Sequence, residues 1–371
     1  MADSIIPFYD IEGNEEYEIA CMMFENCNLN CKFCFETHMN KKIDLNYFKE
    51  IPFIIEENFK KEYDRYPSLK RVYIMMWGGE LFYDALSDEV FDAYYDFVTT
   101  TRNLFELKFP RVEILFSWLT NGVFTKRKRV EDLVRFSKGI INFSYDPINR
   151  FSTENQKQTM IETARYFAHN MGSKISIVLT KDNIKKFINN DNQLVNFHNM
   201  GYIIDVNYYI ANINWKDLIP TDDEIYEFLK WSVDNRLFRM KVLERIFHYY
   251  VGHYLGRYCN CKFCSQITYG EWSTDCAKCS SALPAKMFYQ HNIDRITEEN
   301  SNEIKASMGL IKRGCLTCKY FNRCQMPCWI SFIFEGTKVG ECHYKRIYEY
   351  LDQHKEIIEE FRSEYERSGP K

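Results

Sequence analysis

The chain has 371 residues, with 48 basic against 52 acidic side chains and a formal net charge of -4. That length can bury a sizeable core, and the near-balanced charge argues against a polyanion-binding surface or a polybasic membrane patch, so neither nucleic acid nor membrane is expected as a partner. The acidic start MADSIIPFYDIEGNEEYE has no leader pattern. No run approaches the roughly 18 apolar residues of a spanning helix, and a cytoplasmic location is expected.

Six apolar, β-rich runs recur along the first part of the chain: YEIACMMF from Tyr17, RVYIMMW from Arg71, VEILFSWLT from Val112, IINFSY from Ile140, KISIVLT from Lys174 and YIIDVNYYI from Tyr202. Between them lie segments such as NYFKEIPFIIEENFKKEY and ENQKQTMIETARYFAHNM, with apolar residues at helical spacing. Alternating strands and helices predict an α/β fold with a parallel sheet, here a partial (β/α)6 barrel of the TIM type. Beyond Trp231 a helical stretch leads into a cysteine-rich region where periodicity fades, which sets the expected domain boundary at 235. The segment from Tyr344 regains a helical period with mixed charge and predicts a solvated closing helix over 343–371.

The 14 cysteines are unevenly placed: four between Cys21 and Cys34, none from Phe35 to Tyr258, and ten between Cys259 and Cys342. In a reducing compartment such clusters point to metal or catalysis rather than disulfides. Directly after the first strand, ENCNLNCKFCFE spaces Cys27, Cys31 and Cys34 as CxxxCxxC. Three ligands matter, because structural zinc closes with four, whereas a cubane on three thiolates leaves one iron open. A zinc site completed by Cys21 or a distant His is the competing reading. Cys21, on the first strand, is read as a small buried hydrophobe.

CxxxCxxC with an aromatic, Phe33, before its last cysteine resembles the radical S-adenosylmethionine (SAM) superfamily. The resemblance implies a cubane whose open iron chelates SAM. It extends to WGGE, where Gly78, Gly79 and Glu80 end the second strand and resemble the element that meets the SAM amino group. Glycines permit close backbone approach, and barrel sites sit at the C-terminal ends of strands. Ser144 resembles the family serine that contacts the SAM carboxylate, helped by an arginine for which Arg165 is the candidate and Arg150 a nearby alternative. TNG at Thr120, Asn121 and Gly122 resembles a frequent family turn, and Val178 and Leu179 are expected to offer a backbone contact to adenine.

From Cys315 the chain reads CLTCKYFNRCQMPC, spacing Cys315, Cys318, Cys324 and Cys328 ahead of Cys342. This resembles the SPASM domain of radical SAM enzymes, and implies a small cysteine-rich domain over 236–342 holding two auxiliary iron–sulfur clusters after a radical SAM barrel over 1–235. A zinc-ribbon pair competes, but would strand the fifth cysteine. By position, Cys315, Cys318, Cys324 and Cys342 hold one cluster. Cys328 joins Cys276 and two of Cys259, Cys261 and Cys264 on the other, with Cys279 left open.

The cofactors so implied are three [4Fe-4S] clusters and SAM, with a flavodoxin or ferredoxin as electron donor. The resemblance points to a peptide or protein substrate. Peptide maturation with net oxidation is weighed against formylglycine formation on a sulfatase, and is favoured because Ala277, not an Asp base, follows Cys276. With 26 residues before Cys27, a leader would need a separate binding protein. A non-catalytic iron–sulfur electron carrier is the reading of another class, which the WGGE element and the βα core argue against.

Overall fold

The structure, a computed structural model, describes residues 16–34, 42–65, 67–169, 172–208, 216–251, 266–270, 273–277, 314–321, 324 and 342–368. The chain divides into two compact units, neither contiguous: Asp10–Lys174 with Phe263–Arg295, and Met1–Tyr9 with Ile175–Lys262 and Ile296–Lys371. Residues on both sides of position 235 belong to the second of these units, and Phe263–Arg295 to the first.

In the first unit strands and helices alternate: β1 (Glu16–Met22), α1 (Leu45–Arg65), β2 (Arg71–Trp77), α2 (Asp88–Lys108), β3 (Glu113–Thr120), α3 (Arg127–Phe136), β4 (Ile140–Tyr145) and α4 (Glu154–Phe167). β1 pairs parallel with β2, β2 with β3 and β3 with β4, with Met22 opposite Trp77 and Thr120 opposite Phe143. Ile19, Ala20 and Cys21 are all fully buried, so β1 is covered on both faces, as its unbroken apolar run requires. Burial also drives the Cys21 thiol far above its ordinary value, as befits a core residue.

Two further strands of this unit, β7 (Gln266–Gly270) and β8 (Ser273–Ala277), were not expected. β7 adds to β1 in parallel and β8 pairs antiparallel with β7, giving the order β4-β3-β2-β1-β7-β8. Helices α1 and α2 pack through aromatic rings, Phe59 lying 5.1 Å from Phe105 and 4.9 Å from Phe109. Tyr94 and Phe82 pack on Trp118 from below the third strand, at 5.3 and 5.7 Å.

The second unit continues the βα succession with β5 (Lys174–Leu179), α5 (Lys181–Asn190), α6 (Gln193–Asn199) and β6 (Ile203–Tyr208), β5 and β6 being neighbours. Six strands each followed by a helix make an α/β chain with the succession that a partial (β/α)6 barrel requires. α7 (Asp222–Asp234) and α8 (Lys241–Tyr250) follow, and the chain ends in α9 (His343–Gln353) and α10 (Lys355–Ser368). α7 opens on a capping box in which Thr221 and Glu224 each satisfy the other's backbone N–H. At the start of α9, buried His343 bonds buried Asp222 of α7 through Nδ1, which fixes the helix that Cys342 caps.

No helix of the described residues is long and apolar enough to cross a membrane.

Candidate functional site

The loops that leave β1, β2, β3 and β4 all lie at the C-terminal ends of parallel strands, where an α/β sheet builds its sites. The first two are zipped together beyond the regular ladder. Met23 N–H donates to the Trp77 carbonyl at 2.9 Å, Gly79 N–H to Phe24 O at 2.7 Å and Glu80 N–H to Asn26 O at 2.8 Å. The glycines make this possible. Gly78 sits at φ +142°, and a Cβ there would stand 2.3 Å from Phe24 O; one on Gly79 would stand 2.0 Å from Asn26 O. What these glycines touch is therefore the chain entering Cys27, a closer partner than the ligand expected for them.

Glu80 is fully buried, and chain groups occupy its carboxylate. Oε1 accepts from the Thr120 hydroxyl at 2.5 Å and from Phe82 N–H at 2.9 Å, and Oε2 accepts from Asn121 N–H at 2.6 Å. Burial pushes Glu80 up to about 7, with these three donors pulling the other way. The carboxylate thus ties the second loop to the third.

The third loop reaches the cysteines. Asn121 is buried, and its Nδ2 donates to Asn28 Oδ1 at 2.8 Å and lies 3.8 Å from Cys27 Sγ, which also receives Leu29 N–H at 3.4 Å. Cys31 is buried and Cys27 and Cys34 half-buried, none of them in a disulfide, and Cys34 N–H closes a turn on Cys31 O at 3.0 Å. Burial pushes the Cys27 thiol up to about 12, the Leu29 N–H bond opposing it, so the sulfur must shed a proton to bind metal.

The fourth loop supplies a cation. After Ser144, half-buried at the end of β4, Asp146 accepts the N–H groups of Ile148 and Asn149 at 3.0 and 2.7 Å and turns the chain back. Asn149 O then receives Lys32 N–H at 3.1 Å, which docks this turn on the cysteine loop. Arg150 lands beside the three sulfurs. Burial works against its charge, but Cys31, Asp146, Cys34 and Cys27 together outweigh that and raise its pKa. Its guanidinium lies 5.3 Å from the Phe33 ring, and its Nε is buried without a hydrogen-bond partner. Arg165 is elsewhere: it is exposed on α4, with Glu162 as a charged neighbour. The arginine at the cysteines is Arg150, because the Asp146 turn aims it inward while α4 turns Arg165 to solvent.

The cysteine loop thus offers three sulfurs with the Arg150 guanidinium beside them, a donor type that suits iron–sulfur ligation. Among the described residues no three His, Cys, Asp or Glu side chains converge on the position of a single ion.

The remaining expected residues fall in less defined places. Leu179 ends β5 in the second unit and is fully buried, and the neighbouring Val178 carbonyl already accepts from Asn183 Nδ2 at 2.9 Å. Cys276 lies on β8 opposite Tyr269. In the second unit Cys315 opens a short 3-10 turn whose carbonyl accepts Cys318 N–H at 3.0 Å, and Cys315, Cys318, Cys324 and Cys342 are half-buried and in no disulfide. Tyr320, two residues on, packs 5.2 Å from Tyr348 of α9 and donates to Asp352, so the turn is moored to the helix that Cys342 caps. Cys259, Cys261, Cys264, Cys279 and Cys328 lie outside the described residues.

Arg150 was only a secondary candidate, and Asn28 carried no signal, since its partner Asn121 is 93 residues away.

No family model matches this chain, and no curated protein matches it. Among solved structures it is similar to one described as TYW1 with a lysine-pyruvate adduct bound, at a TM-score of 0.37 and 15% identity, over 58% of this chain and 73% of that one.

Proposed function

We propose that this chain is a radical SAM enzyme that modifies a peptide with net oxidation. The observation that carries the first half is the placing of Cys27, Cys31 and Cys34 on the loop after β1 with the Arg150 side chain beside them, its buried Nε without a hydrogen-bond partner, at the strand ends of a parallel sheet. Cys27, Cys31 and Cys34 would hold a [4Fe-4S] cluster with one iron open. Such a cluster would supply one-electron reduction of a bound SAM, and with it the radical chemistry that removes hydrogen from a substrate carbon.

The chain's own residues do the positioning. Arg150 offers a fixed positive charge and a free Nε–H to the anionic thiolates or to a carboxylate brought beside them. Ser144, half-buried at the end of β4, offers a hydroxyl close by in the chain. Glu80 holds the second and third loops together, and Trp77, Leu81 and Phe82 beside it in the chain are buried.

The peptide half rests on the resemblance of the Cys315–Cys342 spacing to a SPASM domain. Two auxiliary clusters would carry away the second electron. Ala277, where a sulfatase-maturing enzyme would carry an Asp base, turns the reading toward peptide cross-linking.

The test is anaerobic. Reduced, reconstituted protein is incubated with SAM, and 5′-deoxyadenosine is quantified. Replacing the three N-terminal cysteines with Ala is expected to abolish it. A candidate precursor peptide and a sulfatase peptide are then compared by mass spectrometry. Loss of two hydrogens from the first supports the reading, formylglycine on the second overturns its peptide half, and absence of SAM cleavage overturns the whole.

A further inference from the structure

A closed ring of three hydrogen bonds holds one side-chain amide beside Cys27. Val123 N–H donates to Asn121 Oδ1 at 2.8 Å, Asn121 Nδ2 donates to Asn28 Oδ1 at 2.8 Å, and Asn28 Nδ2 donates back to the Val123 carbonyl at 2.8 Å. The ring leaves neither amide free to turn over. A backbone N–H can only donate, so the Asn121 atom facing it is oxygen; a backbone carbonyl can only accept, so the Asn28 atom facing it is nitrogen. Reversing either amide would set donor against donor or acceptor against acceptor at two places.

An amide nitrogen carries two hydrogens. One of Asn121's is spent on Asn28, and the other is left on the side where Cys27 Sγ lies, 3.8 Å away. The backbone beneath is fixed as well, since Asn121 N–H is held by Glu80 Oε2 at 2.6 Å, Thr120 by Glu80 Oε1 at 2.5 Å, and Gly122 N–H by Thr120 Oγ1 at 3.0 Å. Every torsion that could move this amide away from the sulfur is tied.

We infer that Asn121 is a positioning residue for the cluster: its second amide hydrogen bonds the Cys27 sulfur, holds that ligand in place and raises the reduction potential of the cluster it binds. The inference rests on the reading of Cys27 as a cluster ligand. The contact is long for a neutral thiol, and a thiolate attracts a donor more strongly, so it tightens on ligation. Hydrogen bonds to ligating sulfur stabilise the reduced, more negative state, which is why they tune iron–sulfur potentials. Leu29 N–H at 3.4 Å is the second such donor on the Cys27 sulfur.

The experiment is a reductive titration of the reconstituted full chain, followed by electron paramagnetic resonance. The N-terminal cluster's signal is the part missing from the Cys27→Ala, Cys31→Ala, Cys34→Ala variant. Asn121→Leu keeps the size and removes both donors. At the potential that half-reduces the wild-type cluster, its oxidised-to-reduced ratio is expected to rise about tenfold, or about 59 mV for one electron. Asn28→Ala, at an exposed position, frees the amide without touching the core, and a smaller shift of the same sign is expected. Should Asn121→Leu fail to take up the cluster, Asn28→Ala decides alone. Wild-type potentials in the variants that hold the cluster overturn the inference and leave the cluster reading standing. A triple-cysteine variant with the wild-type signal overturns both.

Discussion

Gly79→Ala tests how the cysteine loop is held. The new Cβ would stand 2.0 Å from Asn26 O, 2.5 Å from the Asn26 carbonyl carbon and 2.5 Å from Glu25 O, all backbone atoms that no rotamer change can move. Ordinary contact lies near about 3.5 Å, so the two chains must part by more than about 1 Å. The Gly79–Phe24 and Glu80–Asn26 bonds, 2.7 and 2.8 Å long, span that gap and cannot both survive. Losing one or both of these buried bonds costs about 1–3 kcal/mol, and overpacking adds about 1–3 kcal/mol, so a loss of about 2–6 kcal/mol is expected. Cys27 follows Asn26 directly and moves with it. Urea denaturation of the metal-free protein measures the first effect, and iron content after reconstitution the second. Gly172→Ala is the control: its φ is +86°, yet its Cβ would meet only Ile140 Cγ2 at 3.6 Å, so only a conformational cost of about 1 kcal/mol is expected. A Gly79→Ala protein with the wild-type midpoint and full iron would refute the reasoning, as would a Gly172→Ala protein destabilised equally.

Arg150→Ala is expected to weaken SAM binding about tenfold to hundredfold by calorimetry, as loss of a bond to a charged group does, while Arg165→Ala leaves it unchanged. Arg150→Lys is expected to restore little, because an ammonium reproduces neither the planar fork nor the stacking on Phe33. Glu80 makes stability pH-dependent: with its folded value near 7 against an ordinary 4.5, the folded chain keeps a proton that the unfolded chain has lost. Its contribution therefore falls as pH rises from about 4.5 to about 7, by on the order of 3 kcal/mol, and urea midpoints of Glu80→Gln should lack that slope. Asp352 accepts from Tyr250 at 2.6 Å and from Tyr320, so Asp352→Asn is expected to cost about 1–2 kcal/mol and to speed alkylation of Cys315 and Cys318 in the metal-free protein.

The six βα strands were legible because each is a buried apolar run between polar turns. β2 and β4 begin and end at the expected residues, RVYIMMW and IINFSY. β7 and β8 were not legible. QITYG and STDCA are short and half polar, with no period long enough to read. They are strands because β1 is buried and apolar from Ile19 onward and its second edge needs a partner, a tertiary demand that leaves no local trace. At the site the cysteine spacing was readable, since ligands close in sequence share one loop. The arginine was not, because helical position favours Arg165 as readily as the Asp146 turn favours Arg150. WGGE was recognised for a ligand, but the crowding that its glycines relieve comes from the loop after β1, more than 50 residues earlier.

The polar residues at the strand ends raise the question of why they are kept. Glu80, Thr120, Asn121, Asp146 and Asn149 are all buried, where apolar residues of similar shape would be as stabilising and would need no partners. They are bonded almost entirely to loop backbone: Glu80 to the N–H groups of Phe82 and Asn121, Asp146 to those of Ile148 and Asn149, and Asn121 to that of Val123. Hydrogen bonds of this kind add little net stability but fix direction, which packing alone does not. Each of the loops so fixed either carries a cysteine, touches one or carries the arginine that faces all three. A sheet that only had to fold would have no use for such a network, whereas loops that must present particular side chains at set positions require one.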